Sequence, residues 1–168
     1  GAAGVLEQGG VVGPRARAMW VSTFHSMCVR ILRAEAGKLG LKSSFTIYDQ
    51  GDSVRLMTMV ARDLDLDAKR YPGRNLANQV SNLKNELVDD ETYAARVAAE
   101  GTPAEKVLAD AYRLYTARLR QANALDFDDI IMLTVNVLQA FPDVAQSYRR
   151  RFRHVLVDEY QDTNHAQY

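Results

Sequence analysis

The residues best suited to chemistry follow a short apolar run near the end of the chain. Residues 155–157, VLV, are typical of a strand buried on both faces, and two adjacent carboxylates, Asp158 and Glu159, come directly after them. Acidic side chains at that end of a strand lie where open α/β sheets bind their ligands. The pair suits nucleotide hydrolysis, in which one carboxylate holds Mg²⁺ through oxygen and the other activates the attacking water.

An acidic pair alone has a simpler explanation, because many strands end in Asp or Glu where the chain leaves the core for water. The longer string VDEYQDTN is more specific, since it places Gln161 and Asp162 near the same strand end. This string resembles motif II of the superfamily 1 DNA helicases of the UvrD/Rep/PcrA type. Two earlier strings, WVSTFHSMCVRILR and LDFDDIIM, resemble other segments of that family in the same order.

The resemblance extends from about residue 20 to residue 168, and it implies a role for each residue of the last motif. Asp158 would bind the Mg²⁺ of an ATP site, and Glu159 would be the general base that activates water. Gln161 would couple the γ-phosphate to the DNA-binding surface, and Asp162 would help to order that loop. The implied cofactors are therefore ATP and Mg²⁺.

The resemblance also implies a DNA-contact surface. Thr23, Phe24 and His25 match the motif that contacts single-stranded DNA, and Lys84 and Asn85 are further candidates for DNA contact. An aromatic ring such as that of Phe24 can stack on a base. The residue pattern alone fits equally well with Phe24 in the core and with Lys84 and Asn85 on a solvated helix face.

These residues must be positioned by a fold that is mostly α-helical with a small parallel β element. The resemblance implies a partial RecA-like P-loop motor domain, called 1A, which is interrupted by a helical insertion, 1B. Residues 17–40 and 151–168 would belong to 1A, and residues 41–150 would form the helical 1B-like subdomain and its return to 1A. Residues 1–16 are small and glycine-rich, which indicates a flexible tail or a remnant of cloning.

Local patterns predict the individual elements. We expect a strand over residues 17–23, with Thr23 as the cap of a following helix, and a second extended piece over 45–48. Asp49 and Thr102 are predicted helix caps, and Thr102 is followed by Pro at the next position and Glu three residues later. A helix over about 75–87 carries an apolar stripe of Leu76, Val80, Leu83 and Leu87.

An acidic cluster opens the string DFDDIIMLTVNVLQAF. Asp126, Asp128 and Asp129 could suggest a metal site, but acidic residues in the first turn of a helix are also favoured by its dipole. We therefore expect Asp126 to cap a helix. Tyr112 and Tyr115 fall at helical spacing with Leu108 and Leu119, which predicts that both tyrosines pack in a core rather than stack on bases.

Composition limits the function further. The 168 residues include 21 basic and 21 acidic side chains, so the net charge gives no support to nucleic-acid binding, and any contact must come from local patches. Cys28 is the single cysteine, which excludes an intrachain disulfide and fits a reducing cytoplasm. No apolar run approaches the roughly 20 residues of a membrane-spanning helix, and no signal pattern opens the chain.

The resulting hypothesis is a fragment of an ATP-dependent DNA helicase that moves 3′ to 5′ in DNA repair or replication. Its partners would be single-stranded DNA, the junction of single and double strands, and repair proteins. The phosphate-loop pattern G-x-x-x-x-G-K-[ST] does not occur in the chain, so we expect no ATP hydrolysis by the chain alone. The alternatives are a non-catalytic helical module that binds DNA or protein, and the motor subunit of a helicase–nuclease.

Overall fold

The computed structural model describes residues 13–151 and 153. These residues form mostly helix, and two short strands among them pair in parallel, which confirms the mostly helical class with a small parallel element. The elements in chain order are α1 Pro14–Ala34, a 3-10 helix Ala36–Leu39, β1 Thr46–Tyr48, α2 Gln50–Asp63, α3 Gly73–Asn85, α4 Asp90–Glu100, α5 Pro103–Gln121, β2 Ala124–Asp126, α6 Phe127–Ala140 and a helix α7 over 142–151. None of the described helices is long and apolar enough to cross a membrane.

The predicted strand over residues 17–23 is wrong, because this segment is part of α1. A strand buried on both faces needs neighbouring strands for its backbone N–H and C=O groups, and no described strand pairs with this segment. A helix satisfies those groups internally, and Pro14 suits its first position. Thr23, the predicted cap, therefore lies within the helix and not at its start.

The parallel sheet is formed by β1 and β2, with Thr46 opposite Ala124 and Tyr48 opposite Asp126. Asn123 precedes β2 with a left-handed φ of 48°, and its side chain accepts from the Lys42 N–H at 3.0 Å. This bond ties the residue before β2 to the segment that leads into β1. The other predicted strand, over residues 154–158, lies outside the described residues, as do residues 1–12 of the predicted tail.

Three of the four predicted helix caps are confirmed. Asp49, Thr102 and Asp126 each accept a hydrogen bond from the backbone N–H three residues later. In each case the side chain of that third residue accepts in turn from the N–H of the cap residue, so all three helices begin with a reciprocal capping box. A cap needs only neighbours along the chain, which is why the sequence predicts it well.

Two apolar cores hold the helices together. The larger core joins α2, α3, α4 and α5, and it contains Tyr112 and Tyr115, as predicted. The smaller core joins α1, β2 and α6, with Cys28, Leu32, Phe45, Leu125 and Ile130 among its members. Leu87 was expected on the apolar stripe of α3, but it follows the end of that helix with φ of 61° and is 46% exposed.

Candidate nucleic-acid interface

The predicted nucleotide-site residues, Asp158, Glu159, Gln161 and Asp162, lie outside the described residues, so their roles stay predictions. The described part of the chain contains the predicted DNA-contact residues on two elements. Thr23, Phe24 and His25 lie on α1, and Lys84 and Asn85 form the end of α3.

The α1 motif presents an aromatic surface. Phe24 is 44% exposed, and Trp20, one helical turn earlier, is 49% exposed, so the two rings lie on the same face of α1. Thr23 and His25 are half-buried on either side of Phe24. Because its ring is exposed, Phe24 is not a core residue. Exposed aromatic rings at this spacing can stack on nucleic-acid bases.

His25 is held in place from two directions. Its Nδ1–H donates to the Val21 carbonyl at 3.0 Å, within α1. Its ring meets the Phe127 ring edge-on, with 6.1 Å between the centres and 69° between the planes. Phe127 is the first residue of α6, so the contact joins the candidate motif to the start of a second helix.

A groove of about 980 Å³ runs beside this motif. It lies between α1, β1 and the start of α6, and aliphatic and aromatic side chains form much of its wall together with two arginines. The lining includes Arg17, Val21, His25, Val29, Arg30, Ile47, Phe127 and Ile130.

Lys84 is buried, with only 2% of its surface exposed. Its Nζ lies 2.6 Å from Asp126 Oδ2 and 3.0 Å from Asp129 Oδ1. Burial by itself lowers the pKa of this ammonium, but the charges of Asp129 and Asp126 outweigh burial, and the net pKa of Lys84 is raised. An ammonium enclosed in this way does not reach a DNA phosphate, so the buried position of Lys84 does not support the predicted DNA contact. Asn85 is exposed.

The acidic residues at the start of α6 act as the predicted helix cap, and they also form a buried ion cluster that the sequence analysis missed. Asp126 caps the helix through Oδ1, while its Oδ2 accepts from Lys84 and, at 2.8 Å, from the Tyr115 hydroxyl. A signal for this arrangement was present in the sequence. Lys84 follows Val80 by four residues, which places it on the buried stripe of α3.

A second missed feature is a basic segment, called the basic loop, that runs from the α2–α3 connection into the first turn of α3 and consists of Lys69, Arg70 and Arg74 with Tyr71. The three cations are exposed, and none of them forms an ion pair with a carboxylate of the described residues. The Arg70 guanidinium lies 5.5 Å from the centre of the Tyr71 ring, and the first turn of α3 contains no acidic residue. The string KRYPGR was the available signal, since two basic residues and a tyrosine precede a Pro-Gly pair and a third basic residue follows it.

Comparison with known proteins gives a consistent result. The sequence matches the family described as UvrD/REP helicase N-terminal domain over residues 5–168. The ATP-dependent DNA helicase UvrD1 of Mycobacterium tuberculosis (strain ATCC 25618 / H37Rv) is 62% identical over 160 residues, which are 95% of this chain and 21% of the relative. The ATP-dependent DNA helicase PcrA of Bacillus subtilis (strain 168) is 40% identical over 158 residues, 94% of this chain and 21% of the relative. The chain thus spans about a fifth of the length of these relatives.

Proposed function

The chain belongs to the UvrD/REP helicase N-terminal domain family, and from this membership we propose that it is part of an ATP-dependent DNA helicase. The observation that carries the proposal is the family match over residues 5–168, nearly the whole chain. The whole protein would hydrolyse ATP to move 3′ to 5′ along DNA during repair or replication. Its substrates would be single-stranded DNA and the junction of single and double strands, and it would act in the cytoplasm.

The nucleotide side of the function rests on the motif VDEYQDTN. Asp158 would ligate Mg²⁺ and Glu159 would accept a proton from the attacking water. Gln161 would couple the γ-phosphate to the DNA-binding surface, and Asp162 would help to order that loop. The donor chemistry fits the metal, because Mg²⁺ prefers carboxylate oxygens. When bound, Mg²⁺ would neutralise charge on the phosphates of ATP.

The DNA side of the function rests on α1. Phe24 would stack on a base, with Trp20 beside it, and Thr23 and His25 would contact the strand on either side. The basic loop would add phosphate contacts through Lys69, Arg70 and Arg74. These residues would take the role that the sequence alone predicted for Lys84. Asn85, exposed at the end of α3, stays a candidate for a further contact.

The family resemblance also supports a division of the chain. Residues 17–40 and 151–168 would be parts of a RecA-like domain, and residues 41–150 would contain the helical insertion between them. The larger apolar core, built from α2 to α5, supports a helical unit with its own interior.

The decisive experiment changes Glu159→Gln in the full-length parent protein. A general base contributes about 100-fold or more to a reaction rate, so DNA-stimulated ATP hydrolysis should fall by at least that factor. Binding of a fluorescent ATP analogue should persist, because the amide keeps the shape of the side chain. Glu86→Gln, at an exposed carboxylate directly after α3, is the control and should keep wild-type turnover. Retained hydrolysis in Glu159→Gln would contradict the proposed role.

A further inference from the structure

The two carboxylates that receive Lys84 also hold the first turn of α6. Asp126 uses Oδ1 to accept the Asp129 N–H at 2.7 Å, and its Oδ2 lies 2.6 Å from Lys84 Nζ. Asp129 uses Oδ2 to accept the Asp126 N–H at 3.3 Å, and its Oδ1 lies 3.0 Å from the same nitrogen. A single ammonium therefore links the last turn of α3 to both halves of the α6 capping box.

Two tyrosines of α5 complete the enclosure of Lys84. The Lys84 nitrogen lies 5.1 Å from the centre of the Tyr115 ring and 5.8 Å from that of Tyr112, distances at which the ring faces attract a cation. Without the ammonium, the carboxylates of Asp126 and Asp129 would face each other in a buried site. The partly exposed Arg120 guanidinium, 3.6 Å from Asp129, would be the nearest cation among the described residues. The geometry of the α6 cap thus depends on Lys84.

Phe127 connects this cap to the DNA-contact motif. It lies between Asp126 and Asp129 in the chain, and its ring packs edge-on against the His25 ring. A shift in the first turn of α6 would move Phe127, and with it the surface on which His25 rests. The contacts therefore run without interruption from Lys84, through the cap and Phe127, to His25.

We propose that Lys84 is a positioning residue for DNA binding: it fixes the first turn of α6 and, through Phe127, the orientation of His25 in the α1 motif. The proposal rests on the DNA contact assigned above to Thr23, Phe24 and His25. Lys84 itself touches no DNA in this role. Its replacement should weaken the response to DNA and leave ATP binding intact.

The first test uses this chain and needs no assumption about its activity. Because the Phe127 ring shifts the resonances of nearby protons, the His25 ring signal in an NMR spectrum reports their contact, and His25→Gln assigns that signal. Phe127→Ala, at a residue that is 48% exposed, gives the signal of the broken contact. Lys84→Met should move the His25 signal toward this position. Leu108→Ala, in the core between α4 and α5, is the destabilised control and should leave the signal in place.

The second test uses the full-length parent protein at a temperature where all variants are folded. The DNA concentration for half-maximal stimulation of ATP hydrolysis should rise by about tenfold in Lys84→Met and in Phe127→Ala, and it should not change in Leu108→Ala. If Lys84→Met does not fold, Lys84→Arg takes its place in both tests, because it keeps the charge and alters the fit.

The outcomes separate the two proposals. An unmoved His25 signal in the Lys84 variant, or a DNA response equal to that of Leu108→Ala, would overturn the positioning role. If DNA did not stimulate ATP hydrolysis by the wild-type parent protein, the proposed function would be overturned instead. The NMR result would still show whether Lys84 positions His25 through Phe127.

Discussion

At the scale of single residues, Lys84 has the most unusual environment in the described part of the chain. A buried ammonium is costly unless it is paired, and here two carboxylates and two tyrosine rings enclose it. Removing one partner of such a cluster leaves an uncompensated charge, so Lys84→Ala should destabilise the fold by about 3–5 kcal/mol. The cluster is therefore needed for the stability of the fold, whatever its part in function.

The same residues predict loss of stability at alkaline pH. Burial, together with nearby aspartates, raises the pKa of Tyr112 and Tyr115 above the ordinary 10.0, and the net pKa of Lys84 is raised above 10.5. Above about pH 10 the unfolded chain releases these protons while the folded chain keeps them. The unfolded state then binds fewer protons, so the free energy of unfolding must fall as the pH rises.

Urea unfolding at pH 8, 9, 10 and 11, at constant ionic strength, measures this fall. Each group adds a slope of at most about 1.4 kcal/mol per pH unit. Tyr115→Phe removes one titrating group and should make the fall between pH 10 and 11 shallower, even though it lowers stability at pH 8. A slope in Tyr115→Phe as steep as in the wild type would contradict the assignment.

At the scale of elements, the α2–α3 packing depends on a glycine. A Cβ on Gly73 would lie 2.1 Å from Thr58 Oγ1 and 2.8 Å from the Thr58 backbone, closer than any side chain permits. The first turn of α3 can therefore approach α2 only without a side chain at this position. This close approach sets the position of the basic loop and of the buried face of α3 relative to α2.

Gly73→Ala should destabilise the protein by about 1–3 kcal/mol, because Thr58 presents backbone that cannot move independently of α2. The matched control is Gly51→Ala, in the first turn of α2, where a new Cβ would meet atoms no closer than 3.4 Å. Alanine favours helix over glycine, so the control should stabilise the protein by roughly 0.5–1 kcal/mol. Thermal unfolding of both variants measures the contrast, and equal shifts in Tm would refute the close-packing argument.

Two helix ends provide a reciprocal prediction. Gly40 and Leu87 both adopt left-handed φ, 69° and 61°, and Leu87 is 46% exposed. A left-handed conformation costs a non-glycine residue roughly 1–2 kcal/mol. Leu87→Gly should therefore raise the free energy of unfolding by about 1 kcal/mol or less. Gly40→Ala should lower it by about 1 kcal/mol. That cost is purely conformational, because no atom lies within 4 Å of the added Cβ. Chemical denaturation would disprove this if both variants changed stability in the same direction.

At the scale of the whole molecule, zero net charge means that local patches must supply any electrostatic attraction to DNA. The described residues offer two candidate contact surfaces, one aromatic and one basic. The α1 motif offers exposed rings, and the basic loop offers three cations without carboxylate partners in the described residues. Binding should therefore combine stacking, which depends little on salt, with phosphate contacts, which depend on it strongly.

The salt dependence of binding to fluorescent tailed duplex DNA tests this division. Arg70→Ala combined with Arg74→Ala should reduce the slope of log affinity against log salt by about one for each lost phosphate contact. Arg96→Ala combined with Arg113→Ala removes two exposed arginines from α4 and α5 and should leave the slope almost unchanged. An equal reduction in both double variants would show that general charge, and not the basic loop, carries the contacts.

Local patterns predicted much of this molecule. The helix caps at Asp49, Thr102 and Asp126 were predicted correctly because a cap involves residues three positions apart. The burial of Tyr112 and Tyr115 followed from helical spacing in the same way. The strand over residues 17–23 failed because an apolar run forms a strand only where partner strands exist, and a run of residues carries no information about its partners.

The sequence by itself determined the helical character, the helix caps at Asp49, Thr102 and Asp126, and the family, since these depend on short motifs and spacings. Only the tertiary structure decided that Lys84 faces Asp126 and Asp129, that β1 pairs with β2, and that His25 rests on Phe127. Each of these contacts joins residues far apart in the chain. From its charge alone, Lys84 was predicted to be an exposed DNA contact. Its burial is favourable because Asp126 and Asp129, from another part of the chain, pair with its ammonium.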